Sequence, residues 1–125
     1  MDDLFYTYCR AVRKHSTKKY SMPVQRAIAL INADLSENLT LSSLAKPQNL
    51  STGYLSSLFK KETGKTITEY ILDERMKLAM NLLSTTSLQI QAVALHCGIM
   101  DVQYFSKLFK KHTGKTPKEY RKSYK

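Results

Sequence analysis

The sequence predicts an all-α fold of about seven helices, in which two small helical subdomains are joined by one long helix. Three observations carry this expectation: a segment that recurs at a fixed offset, apolar residues spaced by three and four, and helix-start signatures at repeated positions. Residues 54–70, YLSSLFKKETGKTITEY, recur as residues 104–120, YFSKLFKKHTGKTPKEY, at an offset of 50. Upstream, Leu44-Ala45 answers Val93-Ala94 at an offset of 49. The second copy therefore carries one extra residue between these points, a slip that belongs in a turn. Two copies are too few for a solenoid, which needs about three or more repeats to bury a continuous core, so the pattern reads as a duplicated module.

Taken in chain order, Pro23 opens an amphipathic helix with Val24, Ile28, Ile31 and Leu35 on one stripe. Thr40 caps a short helix carrying Leu41, Leu44 and Ala45, which Pro47 restricts to one or two turns unless it kinks. Asn49-Leu50-Ser51 forms a turn, with Ser51 as N-cap of the next helix. That helix buries Leu55, Leu58 and Phe59 and leaves Thr52, Gly53, Ser56, Ser57 and Lys60 outside, until Gly64 ends it. A capping box, Thr66-x-x-Glu69, starts the long connector. It runs to about Thr85, roughly 30 Å at 1.5 Å per residue, with Ile67, Ile71, Leu78 and Leu82 as its apolar stripe. Arg75 interrupts this stripe and is expected either half-buried against Asp73, Glu74 or another carboxylate, or solvated.

In the second copy Ile90, Val93, Ala94 and Cys97 form the stripe of the first helix and Gly98 supplies the turn. Phe105, Leu108 and Phe109 form the buried face of the second helix, with Gln103, Ser106, Lys107 and Lys110 pointing outward. A second capping box, Thr116-x-x-Glu119, with Pro117 at the first helical position, starts the last helix. Tyr54, Tyr70, Tyr104 and Tyr120 are expected in the core with wet hydroxyls. The division is then residues 1–22 as a linker, 23–65 as the first subdomain, 66–85 as the connector and 86–125 as the second subdomain.

Twenty Lys and Arg against ten Asp and Glu give a formal net charge of +10, which favours a polyanionic partner, nucleic acid or an anionic membrane surface. No run of 18 or more apolar residues exists, and Asp2, Asp3, Arg10, Arg13 and Lys14 break the first 20, so neither a membrane span nor a secretory signal is read; a cytoplasmic location is expected. Cys9 and Cys97 lack the paired spacing of a disulfide framework or zinc module, and are expected as free thiols. His15, His96 and His112 share no metal-ligand spacing with each other or with the cysteines, so no metal site is read and surface positions are expected, His96 within reach of a phosphate. Cys97 is expected as a small core residue. No catalytic constellation and no Gly-rich phosphate loop stand out, so the chain is read as a non-enzyme without a cofactor.

The residues that carry a resemblance are Ile90-x-x-Val93-Ala94-x-x-x-Gly98-Ile99 and Tyr104-Phe105-Ser106-Lys107-x-Phe109-Lys110-Lys111-x-x-Gly114-x-Thr116-Pro117-x-x-Tyr120-Arg121. With the looser first copy, from Leu44-Ala45 to Gly64, they resemble the DNA-binding domain of AraC/XylS-type bacterial transcription regulators over about residues 24 to 120. Ile99, Met100 and Pro47 depart from the family pattern. The resemblance implies tandem, homeodomain-like helix-turn-helix units that bind double-stranded DNA sequence-specifically. The second helix of each unit enters the major groove, and the helix before it rests against the backbone. It assigns base-edge contact to Thr52, Gly53, Ser56 and Ser57 in the first head and to Val102, Gln103, Ser106 and Lys107 in the second.

Side-chain chemistry agrees in part: Gln103 can pair with adenine N6 and N7, and Lys107 can donate to guanine O6 and N7, whereas Ser56 and Ser57 are short and adaptable. The second head is therefore expected to discriminate bases more sharply. Lys60, Lys61 and Lys65, with their counterparts Lys110, Lys111 and Lys115, recur in register beside a turn and are read as phosphate contacts. Two elements on one face of B-DNA lie about one helical turn apart, roughly 34 Å, a spacing that a rigid connector can set. Residues 1–22, with Leu4-Phe5-Tyr6-Thr7-Tyr8-Cys9 followed by a basic stretch, resemble the segment that follows a sensor domain in longer family members. That reading adds a missing N-terminal domain, a homodimer through it, and contact with RNA polymerase. A complete, stand-alone short regulator is the alternative.

Overall fold

The computed structural model describes residues 20–124. They form seven α-helices and one 3₁₀ turn, and no strand occurs among them. The helices are α1 (Met22–Ala33), α2 (Leu41–Ala45), α3 (Thr52–Thr63), α4 (Ile67–Thr85), α5 (Ile90–His96), α6 (Val102–Thr113) and α7 (Pro117–Lys122). Cys9, His15 and most of the segment read as a linker lie outside the described residues.

Most starts and stops follow from local chemistry. Ser51 accepts the Tyr54 N–H at the start of α3. Thr66 and Thr116 accept from Glu69 N and Glu119 N, while those glutamates accept from the threonine amides, completing both expected boxes. The Thr116 backbone N–H also holds the Glu119 carboxyl below its ordinary pKa. A third box is present where only a cap was expected: Thr40 accepts from Ser43 N, and Ser43 Oγ accepts from Thr40 N. Pro47 ends α2 at Ala45, and the chain continues as a 3₁₀ turn, Lys46–Gln48, that stops at Asn49 in the left-handed region (φ 59°). Helices α3 and α6 end alike. Thr63 Oγ1 donates to Phe59 O and accepts from Lys65 N, and Thr113 does the same with Phe109 O and Lys115 N, next to the positive-φ glycines Gly64 and Gly114.

Two cores form, one per head. The first gathers Val24, Ala27, Ile28 and Ile31 of α1, Leu44 and Ala45 of α2, Leu55 and Phe59 of α3, and Ile67 and Ile71 of α4. The second gathers Met76, Ala79 and Leu83 of α4, Val93, Ala94 and Cys97 of the α5 region, Ile99, Phe105 and Phe109. Phe59 meets Tyr70 edge to face at 5.3 Å between ring centroids, and Phe109 meets Tyr120 likewise at 5.3 Å, so the repeat extends to its aromatic contacts.

Four expectations need correction. The connector has no single stripe of Ile67, Ile71, Leu78 and Leu82. Ile67 and Ile71 face the first core, Met76, Ala79 and Leu83 face the second, and Leu78 and Leu82 are half-buried. Met76 lies five positions after Ile71, a rotation of roughly 140° at 3.6 residues per turn, so the heads sit on different sides of the helix. Leu35 lies beyond the end of α1, in the loop, packed on the edge of the first core. Tyr54 and Tyr104 are 53% and 56% exposed, whereas Tyr70 and Tyr120 are half-buried. Around α3, Tyr54 points roughly 100° away from the adjacent buried Leu55 and roughly 140° away from buried Phe59. Finally, Arg75 is half-buried, but its donors reach backbone carbonyls in place of a carboxylate: Nε donates to Leu35 O at 3.1 Å and Nη2 to Glu37 O at 2.8 Å.

Candidate nucleic-acid interface

Each head displays a 12-residue helix, α3 or α6, whose buried face is set by residues four apart, Leu55 and Phe59 or Phe105 and Phe109. Of the expected base readers, Gly53, Ser57, Gln103 and Lys107 lie opposite that face, and Thr52, Ser56, Val102 and Ser106 lie along its flank. In α3, Thr52, Gly53 and Ser57 are exposed and Ser56 is half-buried. In α6, Gln103 and Lys107 are exposed and Val102 and Ser106 half-buried. A Cβ added at Gly53 would meet nothing within 4 Å, so backbone is open to an approaching surface at that point.

The lysines follow the same register. Lys60, Lys61, Lys110 and Lys111 are exposed in the last turns of α3 and α6, and Lys65 and Lys115 lie just past the helix ends. An open cleft of about 410 Å³ in the second head is bordered by Ser106, Lys107, Lys110, Lys111 and Thr116. It brings two expected base readers together with two expected phosphate contacts. Lys65 and Lys115 differ. Lys65 Nζ is paired with Asp73 of the connector, a hydrogen bond that raises its pKa, while Lys115 Nζ donates to Ser123 Oγ at 3.0 Å. Lys65 thus enters any phosphate contact already partly neutralised. His96 is exposed, and His112 Nδ1 lies 3.9 Å from Asp73 Oδ1.

Supporting contacts escaped the sequence reading. Asp101 caps α6, accepting from Gln103 N at 3.0 Å and Tyr104 N at 3.3 Å; an aspartate directly before the α6 run was the available signal. Glu62 of α3 accepts the Ser21 N–H at 2.8 Å, tying the start of α1 to α3, and nothing local in the sequence announces a contact 41 residues apart. Arg121 Nε donates to Leu83 O at 3.1 Å, placing a cation at the C-terminal end of α4 where the helix dipole favours it. Cys97 is buried as expected, and burial pushes its thiol pKa up to about 12, so it is held protonated.

A family profile described as a helix-turn-helix domain matches residues 44–123, well over half of the chain. This chain belongs to the AraC-type helix-turn-helix family of transcription regulators. The Msm operon regulatory protein of Streptococcus mutans is 38% identical over 86 residues, 69% of this chain and 30% of that protein. Among solved structures, the C-terminal domain of AraT, a response regulator from Geobacillus stearothermophilus, superposes with a TM-score of 0.81. It is 37% identical, covering 84% of this chain and 88% of that one. The DNA-binding domain of AdpA, described as a global transcriptional factor in complex with a target DNA, gives a TM-score of 0.78 at 25% identity, with 83% and 94% covered.

These matches bear out the all-helical AraC-type fold and the role of the domain in DNA-binding transcription regulation, a function distinct from enzymatic catalysis. The matched region spans about a third or less of the curated relatives' length. No helix among the described residues is long and apolar enough to cross a membrane.

Proposed function

We propose that this chain reads two successive major-groove segments of one duplex face, α3 in the first and α6 in the second. The observation that carries this reading is the duplicated 12-residue helix that presents Ser56 and Ser106, and the lysine pairs Lys60-Lys61 and Lys110-Lys111, at the same register in both heads. Thr52, Gly53, Ser56 and Ser57 lie against base edges in the first head, and Val102, Gln103, Ser106 and Lys107 in the second. Lys60, Lys61, Lys110, Lys111 and Lys115 hold phosphates, and Lys65 joins them at the expense of its Asp73 pair. Residues 23–65, 66–85 and 86–125 act as head, connector and head. Residues 1–22 link them to a sensor domain, with pairing to a second copy through that domain, contact with RNA polymerase and a cytoplasmic setting as parts of the same reading.

Selection of sites from random duplex DNA at physiological salt tests it. A consensus with two half-sites about 10 base pairs apart is expected. On the selected sites, Gln103→Ala and Lys107→Ala should change relative affinities among half-site variants by about tenfold, each bidentate contact contributing roughly 1–3 kcal/mol of discrimination. Ser56→Ala should leave them nearly unchanged. Equal affinity of the parent protein for unrelated duplexes, single strands and anionic vesicles overturns the reading.

A further inference from the structure

Three parts of the chain meet at Arg75. The residue belongs to the connector, and its guanidinium donates to Leu35 O and Glu37 O in the α1–α2 loop of the first head. Gly98, in the α5–α6 turn of the second head, closes against the same group. It holds φ +80°, and a Cβ built there would lie 2.5 Å from Leu35 O, 2.9 Å from Arg75 Nη2 and 3.0 Å from Arg75 Cζ. Only a glycine admits this approach, because both the backbone conformation and the space exclude a side chain. Beside this point a cleft of about 230 Å³ is lined by Leu39 and Ile71, which belong to the first core, and by Leu72, Ile99 and Leu108 of the second, with Tyr104. The heads face each other across it.

Taking a guanidinium partly out of water is costly unless its inward donors are paired, and here two loop carbonyls accept from Nε and Nη2. A single α-helix resists bending but leaves each head free to tilt about its own contacts with the connector. A guanidinium seated on one head's loop and pressed against the other head's turn removes that freedom. We infer that Arg75 and Gly98 form an interhead lock that fixes the distance and angle between α3 and α6, so that Arg75 acts as a positioning residue for half-site spacing. The inference about spacing rests on the two-headed reading proposed above; the inference about head orientation does not.

The test separates the two. In a Cys9→Ser background, with Cys97 buried, spin labels at Lys61→Cys and Lys111→Cys report the distance between equivalent points of the two heads in the free protein. The parent should give one narrow distribution. Arg75→Ala should at least double its width while far-ultraviolet dichroism stays helical. Arg75→Lys should not restore it, since an ammonium lacks the planar fork that spans two carbonyls. Arg75→Gln, which keeps one donor group, serves if the alanine variant does not fold, with an intermediate width expected.

An unchanged width in a folded Arg75 variant overturns the lock, even if the melting temperature falls, because that is the mark of a purely structural residue. On selected DNA, one extra base pair between half-sites should cost the parent roughly tenfold in affinity and Arg75→Ala less than about threefold. Equal penalties for parent and variant overturn the role in spacing. Absence of any selected site would instead count against the two-headed reading and leave the distance measurement to decide the lock.

Discussion

At equivalent positions the first head presents Ser56 and Ser57 behind a serine N-cap, and the second presents Ser106 and Lys107 behind an aspartate N-cap. Past the helix end, Lys65 is held by a connector carboxylate while Lys115 meets only a serine hydroxyl. The backbone beneath is nearly the same in both: a 12-residue helix, a left-handed glycine, a threonine bridging that turn, a capping box and an edge-to-face aromatic pair. Such a duplication separates two kinds of residue. Those that build the scaffold recur because packing and backbone hydrogen bonds allow few alternatives. On the solvent side the exposed lysines recur although the fold does not require them, whereas Thr52, Gly53 and Ser57 give way to Val102, Gln103 and Lys107, positions left free to differentiate the heads.

The largest expected effect tests whether the heads are separate folding units. Phe59→Ala and Phe109→Ala each remove a fully buried ring and should cost about 3–5 kcal/mol. Amide NMR spectra during thermal unfolding should show only the mutated head melting early; simultaneous loss of both heads would show that the two cores are one cooperative unit.

Next come the glycines. Gly114→Ala meets no neighbour and should cost only the left-handed backbone penalty, about 1–2 kcal/mol. Gly98→Ala adds collision with Leu35 O and Arg75, and should cost at least about 1 kcal/mol more in urea denaturation. Equal costs would mean that the two heads part easily.

The smallest effect is electrostatic. Losing one phosphate contact should lower the slope of log K against log salt by about one unit, as expected for Lys110→Ala. Lys65→Ala, already paired with Asp73, should lower it by clearly less. A full unit for Lys65 would erase this difference between the heads.

Helix positions were legible because their signals are local. Thr66, Glu69, Thr116, Glu119 and Ser51 announce helix starts within four residues, and the exact register of the repeat made each copy a check on the other. The face presented by α3 and α6 followed from the same periodicity, so the expected readers and lysines all lie on exposed or half-exposed surface. The burial pattern of the connector was not legible, since a stripe rule assumes one core per helix and Ile67–Thr85 serves two. Arg75 was misassigned for a related reason. Carboxylates two residues and one residue away are visible in sequence, whereas carbonyls 38 and 40 residues away depend on how the loop folds back. Tyr54 and Tyr104 look like core residues beside Leu55 and Phe105, but adjacent helical residues point about 100° apart.

Because the two cores grip different sides of α4, the helix behaves as a shaft loaded from both sides, and any error in its winding becomes an error of aim. Helices pack roughly 8–10 Å apart, so side chains on the far face of α6 sit at least that far from the shaft axis. A twist of only about 10° between Ile71 and Met76 would then sweep Gln103 and Lys107 through roughly 2 Å, while hydrogen bonds tolerate a spread of about 0.5 Å in length. If Gln103 and Lys107 read bases as proposed, the accuracy with which they meet them depends on a single helical turn, residues 72–75, and on the Arg75 contacts that start from it.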